Sequence, residues 1–369
     1  MKIEGVVLRE IRLPLVNAFE TSFGKTLNRR VLLVEVEAGG LTGWGECVAG
    51  ERPGYGPETA DTAWLILSDF LLPRLDGWSF EDPAQCRERF RGVRGHRMAK
   101  ASVEAALWDL QAQKLGLPLW KLFGGIRERI PCGVSIGIQE NQEELLRKVE
   151  TELAAGYRRI KIKIKPGWDV EAVAGIRRRH PDVPLMVDAN GAYTLQDAEH
   201  LRELDQYKLL MIEQPLGHED LLEHASLQSR IKTPLCLDES IRHVGDAELA
   251  VELQACRIIN IKIGRVGGAG EAVRIHNFCQ NRGVPVWCGG MLETGIGRAQ
   301  NVAISTLANF KIPGDVSASG RYYARDTVIP PIELTSDGHV IPSSDPGLGY
   351  KVDRPWIEEL TVRKAAFPQ

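Results

Sequence analysis

The sequence lacks any apolar run that could cross a membrane. Every run falls short of the roughly 18 consecutive residues that a spanning helix needs, and the first residues, MKIE, lack the charged-then-apolar pattern of a secretory signal. An excess of one charge is also missing, since 46 Lys and Arg stand against 49 Asp and Glu, a formal net charge of −3. Such a chain has no basic surplus to neutralise a phosphate backbone. We expect neither a membrane nor a nucleic acid as partner.

Cysteine pairs at metal-site or redox spacing are absent as well. The seven cysteines are scattered, and no two are arranged as CxxC. An odd number at irregular positions is typical of reduced, buried cysteines. We therefore expect a cytoplasmic protein without disulfides.

The length, 369 residues, exceeds that of an average single domain. At about 150 residues per domain it predicts two to three domains, or one large barrel with an attachment. The first part, residues 1–125, combines alternating strand patterns at 2–13, 29–37 and 41–48 with helical patterns at 58–72, 83–90 and 98–115. This part is predicted to be a separate α+β unit.

From about residue 131 the pattern changes to short apolar runs that alternate with amphipathic helices. The predicted strands are 132–136, 160–164, 184–187, 209–212, 234–237, 258–261 and 284–287. The predicted helices are 142–153, 170–179, 195–204, 221–230, 246–253 and 270–281. Buried strands alternating with helices indicate a parallel sheet covered by helices, which fits both a doubly wound sheet and a closed barrel.

Charged residues at the strand ends favour the barrel. Five successive strands end in Lys163, Asp188, Glu213, Asp238 and Lys262, at separations of 25, 25, 25 and 24 residues. In an open sheet, five strand ends at about 4.8 Å each would spread over roughly 20 Å. In a (β/α)8-type barrel they converge on one site. We predict a barrel over residues 126–320, with a weakly marked eighth strand near 309–315, and a tail, residues 321–369, that returns to the N-terminal unit.

Three of these strand ends are carboxylates: Asp188, Glu213 and Asp238. Close together and uncompensated, they would repel one another and raise one another's pKa. A hard divalent cation removes this cost, and three carboxylate oxygens suit Mg²⁺. A single strand-end Asp often caps a helix instead, but three at matching spacing favour the metal site.

The lysines complete a proton-transfer pattern. Lys161 and Lys163 share one face of their strand because side chains alternate, and Lys262 ends a strand four positions away, on the opposite wall. Burial beside other cations is expected to lower the pKa of such lysines towards neutrality, where they act as bases. A metal with two opposed lysines is suited to removing a proton next to a carboxylate.

Several motifs together carry a family resemblance: KIKIKPGWD, VDANGAYT, MIEQP, LDES, INIKIGRVGG and WCGGMLETGIGRA. With the AKASVEAALWDL helix and the GWGE turn, they resemble the enolase superfamily in its muconate-lactonising-enzyme-like subgroup. More closely, they resemble the o-succinylbenzoate synthase / N-succinylamino acid racemase (N-acylamino acid racemase) family, over essentially the whole chain. The resemblance implies a modified barrel with an N-terminal α+β capping domain completed by the C-terminal tail. It also implies a divalent metal, Mg²⁺ or a substitute such as Mn²⁺.

The resemblance also implies residue roles. Lys163 and Lys262 would be the acid/base pair, and Asp188, Glu213 and Asp238 would be the metal ligands. The other implied roles concern the substrate and the surroundings of the ligands: Lys161 at the substrate carboxylate, Asn190 and Glu239 supporting the ligands, Ser135 and Met291 lining the pocket, Phe19 and Phe23 in a mobile capping loop within residues 17–27 with Tyr55 beside them, and Arg265 at a position associated with racemase activity. Gly191 stands where relatives often carry a small hydroxyl residue.

The expected reaction is dehydration to o-succinylbenzoate, racemisation of N-succinyl amino acids, or both, on a small-molecule carboxylate in a homo-oligomeric protein. Dipeptide epimerase is a rival, but the Asp-x-Asp pair of that family is incomplete here, where Gly314-Asp315-Val316-Ser317 stands. Muconate cycloisomerisation is a further alternative. A non-catalytic barrel that binds a ligand is the alternative from another class, although all five functional positions are filled.

Overall fold

A three-stranded antiparallel meander opens the chain in the computed structural model, which describes residues 1–22 and 24–367. Its strands are β1 Gly5–Thr21, β2 Gly24–Ala38 and β3 Leu41–Cys47. Both faces of β2 are covered: Leu32 and Val34 pack in one apolar core, whereas Val31 and Leu33 pack in another that continues into the barrel. This sheet is therefore a layer between two cores.

The helices that follow are α1 Ala60–Ile66, α2 Gln85–Arg89, α3 Arg97–Leu115 and α4 Leu119–Leu122. The predicted first helix is shorter than expected, because α1 continues as a π turn, Leu67–Leu71, and a 3-10 turn, Leu72–Leu75. Helix α3 lies directly on β3: a Cβ at Gly45 would lie 1.8 Å from the carbonyl oxygen of Ser102. The GWGE residues lie within β3 and not in a turn as expected, and their glycines allow this close approach.

The second part alternates strands and helices as predicted. Its strands are β4 Ile130–Pro131, β5 Gly133–Ile136, β6 Arg159–Lys163, β7 Leu185–Asp188, β8 Ile212–Glu213, β9 Leu235–Leu237, β10 Ile258–Ile261 and β11 Val286–Cys288. Its helices are α5 Gln142–Ala154, α6 Val170–Arg179, α7 Ala198–Arg202, α8 Leu222–Arg230, α9 Val244–Glu252, α10 Ile263–Val266, α11 Ala269–Asn281 and α12 Gly295–Ser305. Strands β5 to β11 form one parallel sheet in sequential order. The helix predicted at 195–204 is instead α7 flanked by two 3-10 turns.

The eighth position of the barrel is closed without a regular strand. Residues 310–314 make isolated parallel bridges to both edges of the sheet, Phe310 to Val286 of β11 and Gly314 to Cys132 beside β5. Pro313 has no N–H to donate to a ladder, which accounts for the weak pairing. The predicted strand at 309–315 is therefore an extended segment that completes the barrel.

The tail returns to the N-terminal unit. Its elements are β12 Val328–Ile329, β13 His339–Val340, β14 Lys351–Val352, α13 Arg354–Leu360 and β15 Thr361–Phe367. Strand β15 pairs antiparallel with β1, so the C-terminal segment completes the capping sheet as expected. The domain boundaries at residues 125 and 320 stay a prediction.

Inside the barrel, five side chains form an apolar floor: Met186, Met211, Cys236, Ile258 and Trp287. Met186, Met211 and Cys236 each lie two residues before a strand-end carboxylate, so the carboxylates lie one layer above this floor. All seven cysteines are buried and free. Within residues 1–22 and 24–367, no helix is both long and apolar enough to span a bilayer.

Candidate active site

The three predicted carboxylates lie side by side at the carboxyl ends of neighbouring strands. Asp188 ends β7, Glu213 ends β8, and Asp238 follows β9 directly. The parallel register places Lys163 opposite Asp188 and Asp188 opposite Glu213. All three carboxylates are almost completely buried. The convergence expected from the even spacing is thus present.

On one wall, the two lysines of β6 neutralise two of these carboxylates. The Nζ atom of Lys163 donates to Asp188 Oδ2 at 2.5 Å. The Nζ atom of Lys161 lies 3.0 Å from Glu213 Oε2 and 3.2 Å from Asp188 Oδ2. Both ammonium groups point into the barrel, as the alternation along β6 predicted.

On the other wall, Lys262 follows β10, four strands from β6 in the sheet order. Its Nζ atom donates to Asp238 Oδ2 at 2.7 Å, and the Arg265 guanidinium donates to the other oxygen of Asp238. The Tyr55 hydroxyl, from the capping domain, donates at 2.9 Å to Asp238 Oδ1, the oxygen that also accepts from Arg265. The centre of the Tyr55 ring lies 4.3 Å from Lys262 Nζ. The capping domain therefore reaches directly into the site.

The two opposed lysines differ in acidity. Burial lowers the pKa of Lys163 and outweighs the attraction of Asp188. Burial also disfavours the charge on Lys262, but Tyr55, Glu239 and Glu213 outweigh it and hold the pKa above its usual range. The expectation of a lowered pKa is therefore correct for Lys163 and wrong for Lys262. It is also wrong for Lys161, where burial is outweighed by Asp315, Glu213 and Asp188 and the pKa lies above its usual range.

Asn190 and Glu239 lie behind the carboxylates. Asn190 has a positive φ of 46°, which turns its side chain so that Oδ1 accepts from Lys163 at 2.8 Å and Nδ2 donates to Glu239 Oε1 at 2.9 Å. The Oε2 atom of Glu239 is buried without a hydrogen-bond partner among the described residues. Burial raises the pKa of Glu239, with Asp188 adding to the effect. This acceptor is available to a cation or a donor that enters the site.

The predicted pocket residues lie around this cluster. Ser135 is opposite Lys161 in the register, and its buried Oγ has no partner among the described residues. Met291 packs against the core of the capping domain. Phe19 belongs to β1, so the predicted capping loop is instead the end of a β-hairpin. Phe23 lies outside the described residues.

Gly191 has a φ of +73°, and a Cβ there would lie 3.3 Å from the carbonyl oxygen of Leu216. A side chain at this position would therefore strain the backbone and crowd the neighbouring loop.

Sequence reasoning missed polar residues that complete the cluster. Asn260 donates to Glu213 Oε1 at 2.7 Å; it lies two residues before Lys262, so the alternation along β10 could have revealed it. Asp315 Oδ2 lies 2.9 Å from Lys161 Nζ, and its Oδ1 accepts from Arg159 at 2.9 Å. The sequence marked Asp315 only as part of an incomplete Asp-x-Asp pair; its contacts were not indicated, because its partners are more than 150 residues away.

The donor chemistry of the site fits a hard divalent cation, since three carboxylates and an unpaired Glu239 oxygen converge. In the present side-chain arrangement each of the three carboxylates faces a cationic side chain instead. Over residues 1–22 and 24–367, no three acidic, His or Cys side chains are grouped as a metal cage. A bound ion would therefore replace contacts to Lys161, Lys163, Lys262 or Arg265.

A capped barrel with buried lysines on two walls and three carboxylates between them defines an enzyme class that transfers protons at a carbon acid. Two family models match the chain: Mandelate racemase / muconate lactonizing enzyme, N-terminal domain, over residues 3–124, and Enolase C-terminal domain-like over residues 144–356. The chain belongs to this mandelate racemase / muconate lactonizing enzyme family of the enolase superfamily.

Individual proteins similar to this chain belong to the same superfamily or carry names of its enzymes. The chain is 52% identical to an o-succinylbenzoate synthase of Geobacillus kaustophilus over 98% of its length and 96% of the relative's. It is 44% identical to an N-succinylamino acid racemase of Thermus thermophilus over 98% of both chains. A solved enolase superfamily structure from Listeria innocua superimposes with a TM-score of 0.95 at 41% identity, covering 99% of this chain and 98% of that one.

Proposed function

We propose that this enzyme removes the proton alpha to a carboxylate, giving o-succinylbenzoate by syn dehydration, racemised N-succinyl (N-acyl) amino acids, or both. The supporting observation is the pair of buried lysines, Lys163 and Lys262, on strands four positions apart with three carboxylates between them. In a barrel of eight positions, these strands face each other across the interior. A substrate carbon held between them is accessible to one lysine on each face.

Asp188, Glu213 and Asp238 would hold Mg²⁺, or Mn²⁺ in its place. The bound ion supplies positive charge that stabilises the negative charge developing on the substrate carboxylate. Asn190 orients Asp188, because its backbone N–H donates to Asp188 Oδ1 at 3.0 Å. Its side chain links Lys163 to Glu239 behind the ligands. Arg265 holds Asp238 from the side opposite Lys262 and donates to the Tyr55 hydroxyl at 3.3 Å.

The chain's own groups perform the proton transfers. Lys163, with its lowered pKa, is the group most readily available as a neutral base. Lys262 holds a proton more firmly and delivers it, or stabilises the enolate by its charge. Lys161 binds the substrate carboxylate. Ser135, Met291, Phe19 and Phe23 would line the remainder of the pocket and exclude water.

Hydrogen exchange in D₂O tests the opposed lysines. Lys163→Ala and Lys262→Ala should each exchange the α-proton of only one enantiomer of an N-succinyl amino acid, with opposite preferences, and neither should racemise. The exchange is measured by proton NMR on each pure enantiomer. Exchange of both enantiomers by either variant would refute the geometry.

A dipeptide substrate is disfavoured by the position of Asp315. Its two oxygens are engaged by Lys161 and Arg159, so it is not free to hold an ammonium group. Racemisation assays on matched dipeptides and N-succinyl amino acids distinguish the two substrates. No activity on any carboxylate, with the metal bound, would support the non-catalytic alternative.

We further propose a cytoplasmic homo-oligomer whose dehydration reaction serves menaquinone synthesis.

A further inference from the structure

A cavity of about 640 Å³ lies at the carboxyl end of the barrel, outside the lysine–carboxylate cluster. Five segments form its wall: the β1–β2 hairpin, the residues after β5, helix α5, the turn after β6, and Arg321 with Tyr322. Neither the three strand-end carboxylates nor Lys161, Lys163 and Lys262 line it. Of the residues given a role above, Phe19 lines this cavity.

Positive charge predominates around the cavity. Its basic residues are Lys25, Arg147, Lys148, Lys165 and Arg321, and its acidic residues are Glu20, Glu140 and Glu144. Arg147 pairs with Glu144, and Arg321 pairs with Glu152. Among the described residues, no carboxylate lies within 4.0 Å of the ammonium groups of Lys25, Lys148 and Lys165. Three ammonium groups are therefore available to a ligand, although Glu20 and Glu140 of the same wall also make no ion pair among the described residues.

The wall also contains donors without acceptors. The indole Nε1 of Trp168 and the Nε of Arg321 are buried and make no hydrogen bond to the described residues. Buried donors are rarely left unpaired in folded proteins. An acceptor-rich ligand that enters the cavity could satisfy such groups after a small side-chain rotation.

Lys165 connects this cavity to the chemistry. It lies two residues beyond Lys163, the last residue of β6. Between them, the Ile164 N–H still donates to the Asp188 carbonyl of the neighbouring strand at 2.9 Å. Strand β6 ends at Lys163, and Lys165 bridges to Trp168 in the turn that follows. Continuing the alternation of the strand by two residues places Lys165 on the side of Lys161 and Lys163. At about 3.3 Å per residue, Lys165 lies roughly 6.6 Å beyond Lys163 towards the mouth of the barrel.

This spacing matches the length of a succinyl arm. Five bonds separate the α-carbon of an N-succinyl amino acid from its distal carboxyl carbon, and an extended chain covers about 6 Å in five bonds. With the α-carbon at Lys163, the distal carboxylate arrives beside Lys165. We propose that Lys165, with Lys25 and Lys148, binds this second carboxylate and thereby selects N-succinyl over neutral N-acyl substrates. The proposal rests on the proposed function.

Lys25 gives the site a link to the capping domain. It is opposite Glu20 in the backbone register of the β1–β2 hairpin, and the Glu20 carbonyl accepts from the N–H of Ile138 in the barrel at 3.1 Å. A carboxylate held between Lys25 and Lys165 would therefore bridge the hairpin and the barrel. Such a bridge favours closure over substrates that carry the second charge.

Kinetics on matched substrates test the site. The measured quantity is the KM of the N-succinyl form of one amino acid divided by the KM of its N-acetyl form. Lys165→Gln should raise this ratio about tenfold, and Lys165→Glu should raise it further. Lys232→Gln, at an exposed lysine before β9, is the matched control and should leave the ratio as in the wild type. An equal rise of KM for both substrates in Lys165→Gln would overturn the proposal.

A binding measurement separates this proposal from the proposed function. N-succinylglycine and N-acetylglycine cannot be racemised, and calorimetry with Mg²⁺ present measures their affinities without turnover. The wild type should prefer the succinyl form about tenfold, and Lys165→Gln should lose the preference. A preference without either racemisation of chiral N-succinyl amino acids or dehydration to o-succinylbenzoate would sink the proposed function and keep the site. Racemisation without a preference would sink the site alone.

Discussion

Two groups of buried carboxylates in this protein have opposite surroundings. At the strand ends, Asp188 and Asp238 face lysine and arginine side chains. At the contact between the capping domain and the barrel, Glu46 and Glu104 face backbone N–H groups at the starts of two barrel helices. Glu46 accepts from the N–H groups of residues 294 and 297 at the start of α12, and Glu104 accepts from residue 270 in α11 at 2.9 Å.

The difference appears in their acidity. Burial disfavours the charge on Asp188, but Lys163 and Lys161 outweigh it, and its pKa lies well below the usual range. Burial raises the pKa of Glu46 and of Glu104 to about 7, and their helix-end partners only moderate the effect. The lysine and arginine side chains at the strand ends can be displaced from the carboxylates by a metal and a substrate. The helix-end contacts instead join the two domains, since each replaces the missing side-chain cap of its helix.

The largest expected effect on activity is that of removing the metal from the strand-end group, Asp188, Glu213 and Asp238. Chelation should abolish activity, and added Mg²⁺ or Mn²⁺ should restore it. Asp238→Asn should weaken metal binding. In the metal-free site it leaves Lys262 and Arg265 facing a neutral amide, so we expect a lower melting temperature but a folded barrel. Activity and thermal unfolding, with and without the ion, measure both effects. Full activity in metal-free enzyme would contradict the assignment.

Lys262→Arg should separate racemisation from dehydration, the two reactions proposed for the strand-end group. Arginine keeps the positive charge but does not deprotonate, so racemisation should fall by about 10²–10⁴-fold, the range for loss of a general acid/base. Dehydration, which by resemblance needs only Lys163 for proton transfer, should be retained in part. Assays of both reactions on one preparation decide this, and equal loss of both would count against the division of roles.

The helix-end group should control the pH dependence of stability. The pKa of Glu104, about 7 in the folded protein, exceeds its ordinary value of 4.5. The folded protein therefore retains a proton that the unfolded chain releases, and stability should fall as the pH rises from 4.5 to 7, by up to about 3 kcal/mol for this carboxyl.

Glu104→Gln should flatten that decline, because glutamine stays neutral throughout. Urea unfolding at pH 5 and pH 8 measures the difference between variant and wild type, and Glu219→Gln, at an exposed position, is the control. A decline as steep in Glu104→Gln as in the wild type would show that another group is responsible.

The smallest expected effect concerns the hairpin that covers the barrel. A Cβ at Gly137 would lie 2.7 Å from the backbone oxygen of Glu20, so Gly137→Ala should displace the hairpin end. We expect KM to rise about 3- to 10-fold, a loss of roughly 1 kcal/mol in binding, while metal affinity stays unchanged. Phe19→Ala should act in the same direction. Wild-type kinetics in both variants would show that the hairpin does not contact the substrate.

Local patterns carried most of the fold and the centre of the site. The 25-residue spacing of charged strand ends located Lys163, Asp188, Glu213, Asp238 and Lys262 in one cluster, and the structure brings all five together. The hairpin at residues 17–27 was mistaken for a loop, because small and polar residues there resemble a connection. Its strands form by pairing with each other, which no single segment reveals.

The sequence by itself determined where strands and helices alternate and which strand ends carry charge, because these features depend on residues close together along the chain. Only the tertiary structure decided which charges meet. Asp315 reaches Lys161 across the last gap of the barrel, and Glu104 and Glu46 reach helix ends that are 166 and 248 residues away. Burial and partner distance set the pKa of each group, and both quantities exist only once the capping domain has packed onto the barrel.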